Sequence, residues 1–323
     1  MTIITQPVFQ PDLPLAPQAM QRRFEHKGLT WVDFMHPSGE QVAFLRERFQ
    51  FHQLHLDDLV SRLQRPKLDD NDEPNYIFMV LHFPVFDSRT RMPTVSEIDF
   101  FVGPNFVVTA HDGRLKAHMR ILQSAAELQQ RQQMMERGPG FLLYKVIANL
   151  LNACMPMLLV LDEKLDRLDE GIFTEDVQKM VRELSFLRRD VITMRRILRP
   201  NMPVIHSLAN RERGFLRLDE EAYFGDLTDI LGKLWDLLEE QKEIIEGLDA
   251  TISSLTSHRI NQEMKIFTLI SVIILPMTLV ASILGMNVSI PLAEHPLALP
   301  ISLIIMCILA CAMFAYFRWQ GWI

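Results

Sequence analysis

Apolar and polar positions follow three successive regimes along the chain. Up to about residue 112, short apolar runs are separated by polar breaks. TWVDF (30–34) alternates in the manner of a strand, and YIFMVLHFPVF (76–86) is a continuous β-type run. EIDFFVG (97–103) and NFVVTAHD (105–112) read as a hairpin around Gly103-Pro104. Between the first two strands, FLRERFQFHQLHLDDLVSRL (44–63) has helical spacing for one or two helices. This mixture predicts a compact α/β domain over residues 30–113, preceded by a Pro-rich, irregular N-terminus at 1–29.

Beyond residue 114 the pattern turns helical. A helix over 115–138 is expected to stop at Gly138, a long one to run from about Gly140 to Leu198, and a short one to cover about 203–213. Together they form a helical segment, 114–218. Residues 219–263 then place Leu227, Leu231, Leu234, Leu238, Ile245, Leu248, Ile252 and Leu255 at 4-3 spacing, with Gln241 filling the missing step. That is a heptad seam, which predicts packing against copies of itself or against another helix. No proline interrupts it, so one stalk helix is predicted from about Glu220 through to Leu284, on the order of 100 Å at 1.5 Å per residue. Residues 219–263 hold 12 acidic residues against 3 basic ones, either a solvated face or a surface that concentrates cations.

The third regime is apolar. Ile266–Leu284 contains no charge over 19 residues, and Leu297–Phe317 none over 21. A bilayer core about 30 Å thick needs about 20 helical residues, so each run is long enough to span. Two spans put both termini on one side. Arg259 and Lys265 precede the first, Arg318 follows the second, and the loop 285–296 has no Lys or Arg. The positive-inside rule then predicts an inner (plasma) membrane protein with cytoplasmic termini, Trp319 and Trp322 in the interfacial belt, and a cytoplasmic tail at 318–323. The first residues lack a basic-then-apolar pattern, so no signal peptide is expected.

Composition refines this picture. With 323 residues, 48% of them hydrophobic and 23% charged, the chain is not a disordered one, and a formal charge of −7 argues against a nucleic-acid partner. Three cysteines, of which Cys307 and Cys311 read as small packing residues of the second span, cannot build a disulfide framework. No GxxxxGK[ST] loop suggests a nucleotide, and no HExxH, CxxC, nucleophile-elbow or kinase pattern suggests an enzyme. The pair His52 and His55 is a weak metal candidate, and His258 reads as a surface residue.

The first span carries Pro276 and ends in Gly285-Met286-Asn287. The run PMTLVASILGMN resembles the signature of CorA-type divalent-cation transporters, whose hallmark is Gly-Met-Asn at the outer end of the first of two C-terminal spans. QRPK (64–67), NYIFMVLHF (75–83), RELSFLRRDV (182–191), YFGDLTD (223–229) and NQEMKIFTLI (261–270) are similar to family segments in the same order, covering roughly residues 30 to 323. The resemblance implies a funnel-shaped homo-oligomer, a pentamer, with an α/β cytoplasmic domain, a long helical stalk and two C-terminal transmembrane helices. It implies passage of Mg²⁺, with Co²⁺ or Ni²⁺ as further ions.

Spacing alone marks a stripe of moderate polarity on the first span: Met264, Thr268, Ser271, Leu275, Thr278 and Ser282. Small hydroxyl residues also serve plain helix packing. The resemblance favours Asn261, Met264, Leu275, Thr278 and Asn287 as pore lining, with Phe267 in the constriction. It makes Gly285, Met286 and Asn287 the selectivity filter. Asn287 offers a hard amide oxygen to an ion that keeps its waters, though Gly and Asn also simply end helices. Glu294 in the loop is either a cation-attracting ring or a solvated residue. The resemblance further implies regulatory Mg²⁺ between subunits at Asp58 and Asp226, with Asp57 and Asp229 assisting; exposed helix acids are the bland reading of all four.

This chain departs from the family pattern in several places. Leu284 stands where an aromatic residue is usual, and Asn149 and Asn152 stand where acids are usual. Arg318 alone remains of a basic C-terminal cluster, and the loop VSIPLAEHP is closer to the ZntB-like zinc branch. Ion choice and direction therefore stay open between a passive Mg²⁺ conduit, a Zn²⁺ transporter with possible proton coupling, and a membrane-anchored Mg²⁺ sensor that does not conduct.

Overall fold

The computed structural model describes residues 21–322 apart from 62, 91, 174–175 and 287–296. The chain divides into two units, Met1–Leu248 and Asp249–Ile323. In the first, the elements run β1 (Gln21–His26), β2 (Leu29–Met35), α1 (Gly39–Phe49), α2 (Gln53–Val60), β3 (Lys67–Asn71), β4 (Tyr76–Asp87), β5 (Met92–Gly103) and β6 (Phe106–His111). Then come α3 (Lys116–Ala126), α4 (Leu128–Met135), α5 (Pro139–Asn152), α6 (Met155–Gly171), α7 (Val177–Leu198) and α8 (Asn201–Ala209), before α9 (Glu220–Leu284), whose C-terminal part belongs to the second unit with α10 (Ala298–Trp319).

The six strands order as β1-β2-β6-β5-β4-β3, antiparallel except where β2 runs parallel to β6. One face is covered by α1 and α2, whose Val42, Leu45, Phe49, Leu56 and Leu59 share a core with Phe34, Phe78, Val80, Phe101 and Ala110. Helices α5 and α7 contact strands of the sheet as well: α5 meets β5 and β6, and α7 meets β4 and β5. Strand β3 pairs with β4 only as far as Val80. Just beyond, the Asn201 side-chain amide takes over the ladder, accepting from the His82 N–H at 3.0 Å and donating to its carbonyl at 2.6 Å. This satisfies backbone groups that are otherwise left unpaired inside the protein.

Several expectations are corrected here. The stretch 1–29 is not irregular throughout, because Gln21–His26 forms a strand on β2. Its QRRFEH sequence has the charged character of an edge strand, which hides the usual alternation. Strand β3, KLDDN, was concealed in the same way. The single helix expected over 140–198 is three helices. Pro156 has no N–H to donate to the carbonyl of Asn152, and the chain breaks between α5 and α6 at that point. A second break falls between Gly171 and Val177. The helix expected over 115–138 divides at Glu127, whose φ/ψ of −77/130 is extended.

The stalk prediction holds: α9 is one helix of 65 residues with Pro276 inside it. Its seam is filled within the chain. Leu227, Leu234 and Leu238 are fully buried, and Gln241 donates from Nε2 to the Leu158 carbonyl of α6 at 2.9 Å. Arg195 of α7 pairs with Glu239 at 2.6 Å and lies over the Trp235 ring. Over this length the seam packs against helices α6 and α7 of the same chain.

Two polar groups strain this core. The Oε1 of Gln241 has no hydrogen-bond partner although the residue is fully buried. Asp99 lies in register with Lys67, Val80, Ala110 and Phe34 across five strands. It therefore points to the face whose Phe34, Val80 and Ala110 pack on α1 and α2. Burial, reinforced by the charges of Glu97 and Asp58 and opposed by Lys67, pushes its carboxyl well above the usual carboxylate range.

We predict that Gln241→Leu stabilises the full chain by about 1 kcal/mol, because an orphan acceptor costs more than one hydrogen bond returns. Thermal unfolding in detergent checks this; a lower Tm contradicts it. For Asp99 the raised pKa means that the folded state binds the proton more tightly than the unfolded one. Stability is then lost as pH rises from the ordinary carboxylate pKa through the folded value. Asp99→Asn should raise Tm at neutral pH, by roughly 2–4 °C per kcal/mol recovered, with the gain shrinking as the pH is lowered toward 4. A gain that does not shrink on acidification contradicts the assignment.

Candidate functional site

The second unit contains the apolar end of α9 and the whole of α10. Both helices are long and apolar enough to cross a membrane. Pro139–Gly171 satisfies the same length and composition test, but it is split into α5 and α6, and α5 buries ten of its residues in the first unit. Along the apolar end of α9, the less exposed positions are Lys265, Leu269, Val272, Ile273, Pro276, Met277 and Val280, which recur at helical spacing. The residues expected to line a pore, Asn261, Met264, Phe267, Thr268, Ser271, Leu275 and Thr278, are all exposed. At 3.6 residues per turn the Met264–Thr268–Ser271–Leu275–Thr278 stripe lies roughly 100° around the helix from the covered one.

The hydroxyls on this stripe are oriented by their own helix. Thr268 donates to the Met264 carbonyl and Ser271 to that of Phe267, each at 2.8 Å, while Thr278 donates to that of Ile274 at 3.1 Å. With the proton turned inward, the oxygen lone pairs stay free as acceptors. No charged side chain lies between Ile266 and Leu284, so a row of weak oxygen acceptors on an apolar helix can face water or a hydrated cation without a fixed charge. Gly285 closes the helix, its N–H bonded to the Ala281 carbonyl at 2.9 Å, and Met286 follows, 57% exposed. Asn287 and Glu294 lie outside the described residues.

The four acids expected to sense a cation are all in the first unit. Asp58, on α2, accepts from the Lys67 ammonium at 2.7 Å, and Asp57 accepts from Gln53 at 2.6 Å. On α9, Asp226 accepts from the Tyr144 hydroxyl at 2.9 Å, and Asp229 is exposed. Burial first, then the bond to Asp226 and its charge, push the Tyr144 hydroxyl up to about 12, so it remains a donor. Asp57, Asp58 and Asp226 thus each have a partner, and the four acids do not form a cluster of three or more metal-ligand groups within one chain among the described residues. Lys67 was present in the QRPK motif without being read as Asp58's partner; Tyr144 gave no signal in sequence.

The described residues do contain one cluster with metal-ligand identities, Asp33, His111 and His118, all buried. Sequence reading missed it because its members are far apart in the chain and only strand register brings them together. It does not fit a metal. Asp33 accepts from Thr109 at 2.6 Å, His118 at 2.7 Å and His111 at 3.3 Å. The Gly113 N–H donates to Nδ1 of His111 at 2.9 Å, which keeps the His111 proton on Nε2, where a metal would need a lone pair. His118 Nδ1 has no partner, whereas a ligating histidine donates its second N–H to an acceptor. Burial pushes Asp33 upward, but the hydrogen bonds from both histidines and their charges outweigh it and hold its pKa below the usual range. Burial lowers His118 against the pull of Asp33. The cluster is a carboxylate-centred hub joining β2, β6 and α3.

Comparison with known proteins agrees with these elements. The family profile described as CorA-like Mg²⁺ transporter protein matches residues 26–318. The putative metal ion transporter YfjQ of Bacillus subtilis is 29% identical over 297 residues, covering 90% of this chain and 89% of its own. The cobalt/magnesium transport protein CorA of Thermotoga maritima is 25% identical over 307 residues, covering 91% and 83%. In fold, the CorA magnesium transporter from Methanocaldococcus jannaschii superimposes with a TM-score of 0.80 at 23% identity over 93% of each chain. The ZntB cytoplasmic domain from Vibrio parahaemolyticus does so with a TM-score of 0.59 at 16% identity, covering 71% of this chain and 88% of that one. With an α/β unit, an unbroken 65-residue helix followed in sequence by Gly285-Met286-Asn287 and a second apolar helix all matched at nearly full length, the chain belongs to the CorA-like family of membrane divalent-metal-ion transporters.

Proposed function

We propose that this chain assembles as a homopentamer in which the first span lines an axial path for Mg²⁺, with Co²⁺ and Ni²⁺ as further cargo. The observation that carries the reading is the exposed stripe of Met264, Thr268, Ser271, Leu275 and Thr278, with helix-oriented hydroxyls and no charge. Relatives named cobalt/magnesium transport proteins support the choice of cargo. Mg²⁺ gives up its waters reluctantly, so a charge-free path suits an ion that stays hydrated. Gly285, Met286 and Asn287 then form the filter at the outer mouth, where five amide oxygens contact the ion's water shell. Phe267 narrows the inner part, Asn261 lies at the cytoplasmic start of the path, and Glu294 draws cations to the mouth.

Arg259, Lys265 and Arg318 set the orientation, with both termini in the cytoplasm, and Lys265 sits 5.7 Å over the Trp322 ring as an interfacial anchor. No energy-coupling site is required. A divalent ion moving inward through 100 mV gains about 2 × 2.3, or roughly 4.6 kcal/mol. Closure is governed by cytosolic Mg²⁺ shared between Asp58 of one subunit and Asp226 of the next, with Asp57 and Asp229 adding charge. Without the ion these acids repel, and with it the interface is held shut, which is a two-state element biased by a ligand.

Flux into proteoliposomes tests the reading, with Mg²⁺, Co²⁺ and Zn²⁺ indicators and an imposed potential, with and without a proton gradient. Potential-driven Mg²⁺ entry independent of the proton gradient is expected, and Asn287→Ala should reduce it at least about tenfold, the loss of a filter contact worth about 1.4 kcal/mol or more. Proton-stimulated Zn²⁺ entry without Mg²⁺ entry would identify a zinc carrier instead, and absence of all flux would leave a sensor. Unchanged Mg²⁺ entry in Asn287→Ala would remove the filter assignment.

A further inference from the structure

Asp58 already holds a cation, supplied by its own chain. The Lys67 ammonium lies 2.7 Å from Oδ2 of Asp58 and 2.8 Å from Oδ2 of Asp69, and 5.1 Å over the face of the Phe78 ring. Its backbone is fixed by pairing with Val80 at the inner end of β3, nine residues after Asp58. Side-chain exposure is 33% for Lys67 and 23% for Asp58, so the pair is partly shielded from bulk water and from salt. The ground beneath it is acidic. On the same sheet face, Asp99 sits two strands away in register with Lys67, and Glu97, two residues before Asp99, accepts from the Gln64 N–H at 2.6 Å. Asp99 is only 6% exposed, and no hydrogen-bond partner for its carboxyl occurs among the described residues.

An ammonium with two carboxylates as hydrogen-bond partners and an aromatic face beside it occupies a site that also suits a hydrated divalent ion. The two cannot both have the same carboxylate oxygen. Resting on the reading of Asp58 as a regulatory ligand, we propose that Lys67 is a tethered competitor for the cation site at Asp58, and that this competition sets the Mg²⁺ concentration at which the site fills. The ammonium also offsets part of the repulsion among the acids Asp58, Asp69, Glu97 and Asp99 while the site has no divalent ion. When Mg²⁺ binds, it takes the Asp58 oxygen, and Lys67 keeps Asp69. Only the fraction of molecules with Asp58 released binds the ion, so the apparent dissociation constant exceeds the intrinsic one by the inverse of that fraction.

The test uses the full-length protein in detergent, with Mg²⁺ as the probe and two readouts: protection from limited proteolysis and inhibition of flux in proteoliposomes. Lys67→Met keeps the side-chain length and removes the charge. It should lower the Mg²⁺ concentration for half-protection by about threefold to tenfold, and the half-inhibiting concentration by the same factor. Lys67→Arg restores the cation and should return the midpoint to the wild-type value or above it. Asp58→Asn should raise the midpoint, and in the double variant the Lys67→Met effect should vanish, since coupled residues are non-additive.

A Lys67→Met midpoint that is unchanged or raised, while Asp58→Asn still shifts it, overturns the competitor and leaves Asp58 as a ligand. An Asp58→Asn midpoint equal to wild type overturns the regulatory reading itself and the competitor with it. Thermal unfolding of each variant verifies that the midpoints compare folded proteins, and Lys67→Gln serves in place of Lys67→Met where the latter is unstable.

Discussion

A helix that sits in hydrocarbon has to satisfy its own backbone and carry no stray charge, and that constraint governs everything the apolar end of α9 can do. Over Ile266–Leu284 the chain carries no charge, and Pro276 is the one residue that withholds a backbone N–H from the helix. What remains for a cation is a set of weak oxygen acceptors: hydroxyls bonded back to their own turn, and the amide of Asn287 beyond the helix end. Such groups do not replace the inner waters of Mg²⁺, so the proposed path suits an ion that stays hydrated and is selected by the size and polarity of a ring. Bare carboxylates appear in the other unit, where water and neighbouring cations tolerate them.

The first unit spends its polar chemistry on internal pairings. Asp33 is held by two histidines and a threonine, Asp226 by a tyrosine, Asp58 by a lysine, and Gln241 by a backbone carbonyl in the middle of a leucine seam. These fall into two kinds. The Asp33 hub is deep, the His111 tautomer is fixed by Gly113, and its role is structural. The pairs at Asp58 and Asp226 are at or near the surface, so their partners can be exchanged for an ion or a neighbouring subunit.

Much of this was legible before the fold was known, wherever a residue's role follows from its neighbours in sequence. The bounds of α9 follow from uninterrupted spacing between Glu220 and Leu284, and the hairpin from Gly103-Pro104 between two apolar runs. The illegible parts depend on contacts between distant residues. Strands β1 and β3 are edge strands whose charged sequences carry no alternation. The break at Pro156 was overlooked because a proline in the first turn of a new helix is as well accommodated as the surrounding leucines are helical. The heptad seam announced a partner without naming it, and Lys67 was visible inside QRPK, yet its distance from Asp58 is set by how α2 packs over β3.

Water accessibility distinguishes a first span that lines an aqueous path from one that faces lipid. Single cysteines introduced as Thr268→Cys, Ser271→Cys, Leu275→Cys, Thr278→Cys, Val272→Cys and Val280→Cys, in a background lacking Cys307 and Cys311, are exposed in proteoliposomes to a cationic, membrane-impermeant thiol reagent. Cys154 is buried and its thiol is pushed up to about 12 by that burial, so it stays silent. Fast labelling is expected at 268, 271, 275 and 278, slowed by added Mg²⁺, with little at 272 and 280. Labelling that favours 272 and 280, or that ignores Mg²⁺ at every position, would contradict the proposed lining.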